Sequence, residues 1–444
     1  MLKTFPKGGV HPPENKLSAQ AAIEVFPIPP QVVIPIAQHI GAPSTILVKR
    51  GDMVKTGQII AKTSGFVSAN IHSSVSGKVT KIEDVVDSSG YKRPCVIIDT
   101  EGDEWEEGIS RDPSLISSIA LEPKEIIERV LEKGIVGMGG ATFPSHIKLN
   151  VPSGKKAEYL IINGVECEPY LTSDHRVMLE QPEQLMVGIQ IIMKALGVSK
   201  AIIGIENNKP DAIESLNKLA PSYPGVSVEA LKVQYPQGGE KQLIKATINR
   251  EVPSGGLPID VGAVVHNVGT AIAIYEAVQK NKPLIERVVT VTGKSLAKPS
   301  NFLVRIGTPI SSLIEAAGGL PEDTGKVING GPMMGKALSN LDVPVTKGTS
   351  GVLIIRDEES GRKEIAPCIR CARCTHVCPM GLEPYLLMTV SKNSIWEKAE
   401  KNDIMDCIEC GSCSYECPAN RPLLDYIRLG KSKVSQIIRS RRQS

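Results

Sequence analysis

Apolar and polar positions follow two different periods along this chain, and the change from one to the other marks its parts. Over the segment 31–110 the pattern is one of short alternating strands broken by turn residues, as in ILVKRGDMVKTGQIIAKTSGFVSANIHSSVSGKVTKIE (46–83), which predicts a β-domain. An acidic connection, EGDEWEEGISRDPSL, leads into a helix, PKEIIERVLEKG. Strand and helix patterns then alternate. EYLIING (158–164), KAIIGIE (200–206), VSVEALKV (226–233) and the start of AVVHNVGTAIAIYEAV (263–278) read as strands. EQLMVGIQIIMKALG, PDAIESLNKLA and EKQLIKATI read as the helices between them. That order predicts βαβ units and a parallel sheet over 120–285. A smaller α+β unit follows over 286–355, with strands ERVVTVTGK and FLVRIG, a helix SSLIEAAGG and a glycine-rich return, KVINGGPMMG. Residues 1–30 are rich in proline and glycine and read as an extended arm. The expected class is multidomain, α/β and α+β.

With 444 residues the chain exceeds a single core, in keeping with this division. A composition of 41% hydrophobic and 22% charged residues with net charge +3 is that of an ordinary soluble protein. Aromatics make up only 4%, which argues against a base-stacking surface and so against a nucleic-acid partner. No run is apolar for long enough to span a membrane, and MLKTFPKGGVHPPENK lacks the apolar core of a signal peptide. A cytoplasmic location is expected, with any membrane association made through partners or surface charge. The segment 431–444, with the residues just before it, carries Arg428, Lys431, Lys433, Arg439, Arg441 and Arg442 and no acid. It reads as a solvated basic tail, or as a contact for anionic lipid or an acidic partner.

Eight of the ten cysteines supply the first chemistry. Cys368, Cys371, Cys374 and Cys378 precede Pro379, and Cys407, Cys410, Cys413 and Cys417 precede Pro418. Both copies read C-x2-C-x2-C-x3-C-P, the run with which bacterial ferredoxins hold [4Fe–4S] clusters. Three close thiolates grip one cubane and the fourth reaches the neighbouring one. The expected sets are therefore Cys368, Cys371, Cys374 and Cys417, and Cys407, Cys410, Cys413 and Cys378, in a ferredoxin-like domain over 360–430. Zinc sites use separated pairs instead, and disulfides do not suit a reducing compartment. Of the other two cysteines, Cys95 reads as a small buried hydrophobe, and Cys167, between two glutamates, as packing. His146, His175 and His266 have no partner at ligand spacing.

GIVGMGGATFPSHIKL (134–149) is the other informative stretch. Gly137, Gly139 and Gly140 let a backbone approach a ring or a phosphate. A helix precedes these glycines, where a dinucleotide fingerprint needs a strand, so by themselves they mark a turn as readily as a cofactor loop. Their order with YLIINGVECEPYLTSDHRVML, YPQGGEKQLI and VVHNVGTAIAI resembles the flavoprotein subunit of respiratory complex I over about 123–280. The resemblance implies a Rossmann-like domain followed by a β-grasp domain, with FMN bound and NADH stacked on it. It places FMN contacts at Gly137, Gly139, Lys148, Asn163, Glu166, Gly239, Glu240 and Asn267, and the acid beside the nicotinamide at Glu168. Met138 and Val165 stand where that family carries an arginine and an aspartate.

The β-domain resembles the barrel-sandwich domains that carry lipoyl or biotinyl groups, in fold only, because no lysine lies between Lys62 and Lys78. Together with GGVHPPENK, NVGT (267–270) and the paired cysteine motifs, it makes the whole chain resemble the RnfC family, the C components of Rnf electron-transport complexes. The resemblance implies a peripheral subunit on the cytoplasmic side of a membrane complex that couples ferredoxin and NAD to ion transport. Electrons would pass between NAD(H), FMN, two [4Fe–4S] clusters and partner subunits. Two competing readings are a soluble flavoprotein of the cobalamin-reductase type and an iron–sulfur relay without flavin.

Overall fold

A computed structural model describes residues 2–443, with the side chains of residues 442 and 443 left undescribed. Residues 31–100 form two small sheets packed face to face. One is four-stranded, ordered Gln31–Pro35, Lys92–Thr100, Gly77–Val86, Met53–Val54, and the other is three-stranded, from Thr45–Ile46, Ile59–Lys62 and Ile71–His72. Alternation sends Val32, Ile34, Val79, Val96 and Ile98 inward to meet Ile60 and Ile71. Each such side chain stabilises the sandwich by about 1.5–3 kcal/mol. Cys95 is buried here, as expected, and burial pushes its thiol up to about 11.

The next unit is a four-stranded sheet ordered Val226–Leu231, Ala201–Glu206, Tyr159–Asn163, Ala263–Asn267, and every pairing in it is parallel. Its central strands are apolar at successive positions because helices cover both faces. Leu160 and Ile162 pack into the core beneath the helices Pro182–Leu196 and Val268–Lys280, while Ile161 turns to the opposite core beside Leu243 and Ile244. The chain visits the strands in the order third, second, first, fourth. First and fourth strands are therefore neighbours from which the sheet winds in opposite directions, the place where such sheets bind ligands. Asn163 and Asn267 end these two strands and are register partners.

A six-stranded mixed sheet with the helix Ile310–Ala316 on one face makes the third unit. The glycine-rich return contains a strand, Thr324–Asn329, paired with Gly351–Arg356. One edge strand, Ile23–Val25, comes from the N-terminal arm and runs parallel to Ser300–Arg305. The arm is extended, as expected, but bound along its length: Phe5 and Val10 are core residues.

The cysteine motifs sit on short helices packed against Pro384–Lys392 and Leu423–Gln443. That last helix corrects the expectation of a solvated tail. Leu423, Ile427, Val434 and Ile438 recur at helical spacing and pack inward, so the basic residues occupy the other side of an amphipathic helix. Arg428 and Lys431 both pair with Glu409, and Arg441 pairs with Glu400. The side chain of Arg442 lies outside the described residues. Among the described residues no helix is long and apolar enough to cross a membrane.

Candidate functional site

The expected flavin residues converge on the edge where the strands at Asn163 and Asn267 end. Asn267 caps the helix Val268–Lys280, its Oδ1 accepting from the N–H of Gly269 at 2.9 Å and of Thr270 at 3.4 Å. Its Nδ2 donates to Asp174 at 2.6 Å. Asn163 ties the first strand to the next loop, its Nδ2 donating to the Gly238 carbonyl at 2.9 Å. The glycine-rich loop precedes the first strand and closes on itself, Gly137 N–H donating to the Phe143 carbonyl at 2.9 Å. It is drawn to the Asn267 helix by Met138 N–H, which donates to Thr270 Oγ1 at 2.8 Å. A Cβ on Gly139 would touch the Asn267 side chain at 3.5 Å. Gly140 is exposed and left-handed, with φ +104° and open space around it.

Lys148 donates to Glu240 at 2.7 Å and to the Val265 carbonyl at 3.0 Å. Gly239 and Glu240 open the helix Glu240–Ile248. Helices beginning at Glu240 and Val268 thus present N-terminal N–H groups at one sheet edge, an arrangement suited to a phosphate. Among the described residues, five buried polar atoms in this region have no partner: Ser145 Oγ and His146 Nδ1, on the short helix of Lys148, His266 Nε2, beside Val265, and Gln237 Nε2 and Gln242 Oε1, before and within the Glu240 helix. Burial pushes His146 down to about 4 and His266 to about 3, so both stay neutral near pH 7. Unpaired donors and acceptors of this kind beside a cation fit a polar cofactor.

The two acids are engaged differently from a free ligand-binding group. Glu166 adopts φ 48°, and its carboxylate caps the helix Ser173–Glu180, accepting from Asp174 N–H at 2.7 Å and His175 N–H at 3.2 Å. Glu168 accepts from Met334 N–H at 2.7 Å and Met333 N–H at 3.2 Å, joining this loop to the third unit. Burial raises the Glu168 carboxyl to about 7. Cys167 packs between them, accepting weakly from Gly238 N–H at 3.4 Å.

Sequence reasoning missed Arg287. This buried guanidinium lies behind the loop residue that lacks the usual arginine, donating to the Met138 carbonyl at 3.4 Å and to that of Lys347. The signal was a charge, Arg287, inside a strand whose later positions carry none.

Contacts between cysteines cross from one motif copy to the other. Cys378, from the first copy, lines one cavity with Cys407, Cys410 and Cys413 from the second. Cys374 lies within electrostatic reach of Cys417, and Cys368 and Cys371 stand on the exposed segment before it. Burial pushes the Cys407 thiol up to about 11 and Cys413 to about 12, so four thiolates in this apolar cavity need bound positive charge to offset their desolvation. The inner set adjoins the flavin-type unit. Tyr235 Oη donates to the Cys410 carbonyl at 2.8 Å, and Gln242 Nε2 to the Pro379 carbonyl at 3.5 Å. Val10, Tyr235 and Cys410 share a small apolar core with Cys167 and Met333.

The arm is laid into this junction. Gly9 N–H donates to the Val377 carbonyl at 2.9 Å, and Val10 exchanges backbone hydrogen bonds with Tyr235 at 2.8 and 2.9 Å. Further along, Lys16 Nζ donates to the carbonyls of Glu166, Glu168 and Leu171 at 2.8, 2.9 and 2.7 Å.

Beside Lys16 lies Glu206, 2% exposed, with Lys209 at 3.9 Å. Burial raises the Glu206 carboxyl from 4.5 to about 7, with Lys209 and Lys16 opposing and Glu14 reinforcing the rise. A carboxyl raised on folding holds a proton that the unfolded chain releases, so its stabilisation is full below about 4.5 and is lost as pH rises through about 7. Glu206→Gln removes this dependence. Between pH 5 and pH 8 the variant should gain about 2–3 kcal/mol relative to the unsubstituted chain. Unfolding midpoints of both proteins at the two pH values test it, and a constant difference would reject the buried neutral carboxyl.

Four protein families match separate segments: the RnfC barrel sandwich hybrid domain at 3–103, the Nuo51 FMN-binding domain at 130–276, the SLBB domain at 288–337 and the 4Fe-4S dicluster domain at 362–418. The chain is 50% identical over 98% of its length to the C component of the "Proton-translocating ferredoxin:NAD(+) oxidoreductase complex" of Clostridium ljungdahlii, covering 94% of that protein. It is 46% identical over 96% of its length to the C component of the "Na(+)-translocating ferredoxin:NAD(+) oxidoreductase complex" of Acetobacterium woodii, again covering 96% of the relative. The C component of the "Ion-translocating oxidoreductase complex" of Rhodobacter capsulatus is 44% identical over 98% of the chain and 84% of the relative. Among solved structures, an NAD+-reducing [NiFe]-hydrogenase in its H2-reduced state matches with TM-score 0.50 and 20% identity, over 70% of this chain and 63% of that one, a likeness of fold alone.

Proposed function

The chain belongs to the RnfC family, and on that premise we propose that it is the subunit through which an ion-translocating ferredoxin:NAD oxidoreductase exchanges electrons with NAD(H). Its cofactors are FMN and two [4Fe–4S] clusters, and its partners are the other subunits of the membrane complex, with ferredoxin reached through them. It lies on the cytoplasmic face as a peripheral subunit. The reading takes 31–110 as the barrel sandwich, 120–285 as Rossmann-like, 286–355 as β-grasp and 360–430 as the dicluster domain. The cobalamin-reductase and flavin-free alternatives are not favoured, since relatives matching the whole chain are components of ferredoxin:NAD oxidoreductase complexes and an FMN-binding family covers 130–276.

FMN, when bound, supplies the conversion between a two-electron hydride donor and one-electron clusters. Lys148 and the helix N-terminus at Glu240 would hold its phosphate end, with Gly137, Gly139, Gly140 and Gly239 allowing close backbone approach. Asn163 and Asn267, whose amides are engaged with Gly238 and Asp174, would fix the loop and helix start that border it. Glu166 acts through the backbone it shapes, because its carboxylate is spent on the helix cap. Glu168, held by two N–H groups, would stand beside the nicotinamide. Cys378, Cys407, Cys410 and Cys413 would hold the inner cluster, whose chemistry would be one-electron exchange with the flavin side. Cys368, Cys371, Cys374 and Cys417 would hold the outer one, on the side open to a partner.

The observation that carries this reading is the pairing of Asn163 with Asn267 at the switch point of the sheet, with Tyr235 joining the same unit to Cys410. The test is anaerobic reconstitution with iron, sulfide and FMN, followed by NADH. Bleaching of cluster absorbance that requires FMN is expected, and Lys148→Ala should slow it at least about tenfold, equivalent to ~1.4 kcal/mol of barrier. Clusters that reduce with dithionite but never with NADH would reject the reading.

A further inference from the structure

Three alternate residues of the N-terminal arm grip one loop. The Glu14 carbonyl accepts from Tyr170 N–H at 2.8 Å, Lys16 Nζ reaches three carbonyls, and Ser18 Oγ meets Thr172 Oγ1 at 2.6 Å. The loop between, 166–171, cannot hold its shape by local preference. Glu166 and Tyr170 both adopt left-handed backbone, with φ 48° and 71°, which side chains other than glycine and asparagine rarely occupy. Its carbonyls at 166, 168 and 171 converge where neither helix nor sheet supplies donors. An ammonium with three protons satisfies all three at once, as a bound cation would.

We propose that Lys16 is a positioning residue for NAD(H) binding: by collecting the carbonyls of Glu166, Glu168 and Leu171 it sets the loop that aims the Glu168 carboxylate. This rests on the role given above to Glu168 and adds to it a residue of the arm, 152 positions away in sequence. Two features support a tuned position over an incidental contact. All three protons of Lys16 are used at 2.7–2.9 Å, with no carboxylate among the acceptors. Enclosure holds the ammonium down at about 8, so the fold keeps it there against its own desolvation. Arginine cannot reproduce the arrangement, because its donors lie in a planar fork.

The experiment uses the full chain with clusters reconstituted, and compares Lys16→Met, Lys16→Arg, Glu168→Gln and the double variant K16M/E168Q. NADH binding is measured directly by fluorescence titration before FMN is added, FMN affinity separately, and KM and kcat for cluster reduction last. Lys16→Met should weaken NADH binding and raise KM by about tenfold, or ~1.4 kcal/mol, with FMN affinity and dithionite-reducible clusters retained. Lys16→Arg, which keeps the charge, should fold even if the methionine variant does not, and recover only part of the loss. In the double variant the lysine change should add little to the glutamate change, since both act through one group. Weakened binding in Glu168→Gln with none in either Lys16 variant would overturn the assignment of Lys16 alone. No effect in Glu168→Gln would overturn the role of Glu168 and this inference with it.

Discussion

Cys410→Ala is expected to halve the iron content and to disconnect the remaining cluster from NADH. Cys410 belongs to the set that lines a cavity with Cys378, Cys407 and Cys413, and its carbonyl accepts from Tyr235 Oη at 2.8 Å. The other set sits on the exposed side, with Cys368 and Cys371 on the segment before the first short helix. Electron transfer falls exponentially with the gap between centres, so losing the inner cluster leaves the outer one beyond efficient reach of the flavin. Its reduction by NADH should slow by well over tenfold, more than ~1.4 kcal/mol of barrier, while dithionite still reduces it. Cys371→Ala should do the opposite, sparing NADH reduction of the inner cluster and blocking transfer to the partner. EPR of both variants after NADH and after dithionite distinguishes them; fast NADH reduction in Cys410→Ala would reverse the order of the clusters.

Gly8→Val should be as damaging, for a mechanical reason. Gly8 holds φ +71°, and a Cβ there would lie 2.6 Å from the Cys378 carbonyl carbon and 2.7 Å from the carbonyl oxygens of Cys378 and Val377. A β-branched residue meets both a left-handed backbone it resists and a backbone wall that cannot turn away, at about 3–5 kcal/mol together. The arm should lift from the dicluster domain, lowering the melting temperature and uncoupling cluster reduction from NADH. Flavin reduction by NADH should survive better than cluster reduction. Equal melting temperatures would mean that the arm contributes little to holding the two units together.

What the sequence disclosed and what it hid divide by range. The dicluster domain was legible because cluster ligation is a local demand, met by steps of three residues and a proline-led turn. The parallel sheet was legible because strands buried on both faces leave continuous apolar runs. Asn163 and Asn267 came through family resemblance, and only the register of their strands brings them side by side. Glu166 too came through family resemblance; its carboxylate caps a helix, Ser173–Glu180, that the apolar pattern did not reveal. Arg287 and Lys16 went unremarked because their partners are carbonyls, which carry no sequence signature. The closing helix was hidden by its charges, although the Ile427, Val434 and Ile438 stripe was present in the sequence.

The arm also sets an order of events during synthesis. Asn301 Nδ2 donates to the Ser18 carbonyl across a separation of 283 residues, and Gly9 pairs with Val377 still later in the chain. At about 5–20 residues per second the ribosome needs on the order of tens of seconds to supply these partners. Val10, a core residue in the finished molecule, finds its first partner only when Tyr235 has been made, and its contact with Cys410 comes later still. The flavin-type unit can therefore close before the arm locks the iron–sulfur domain onto it.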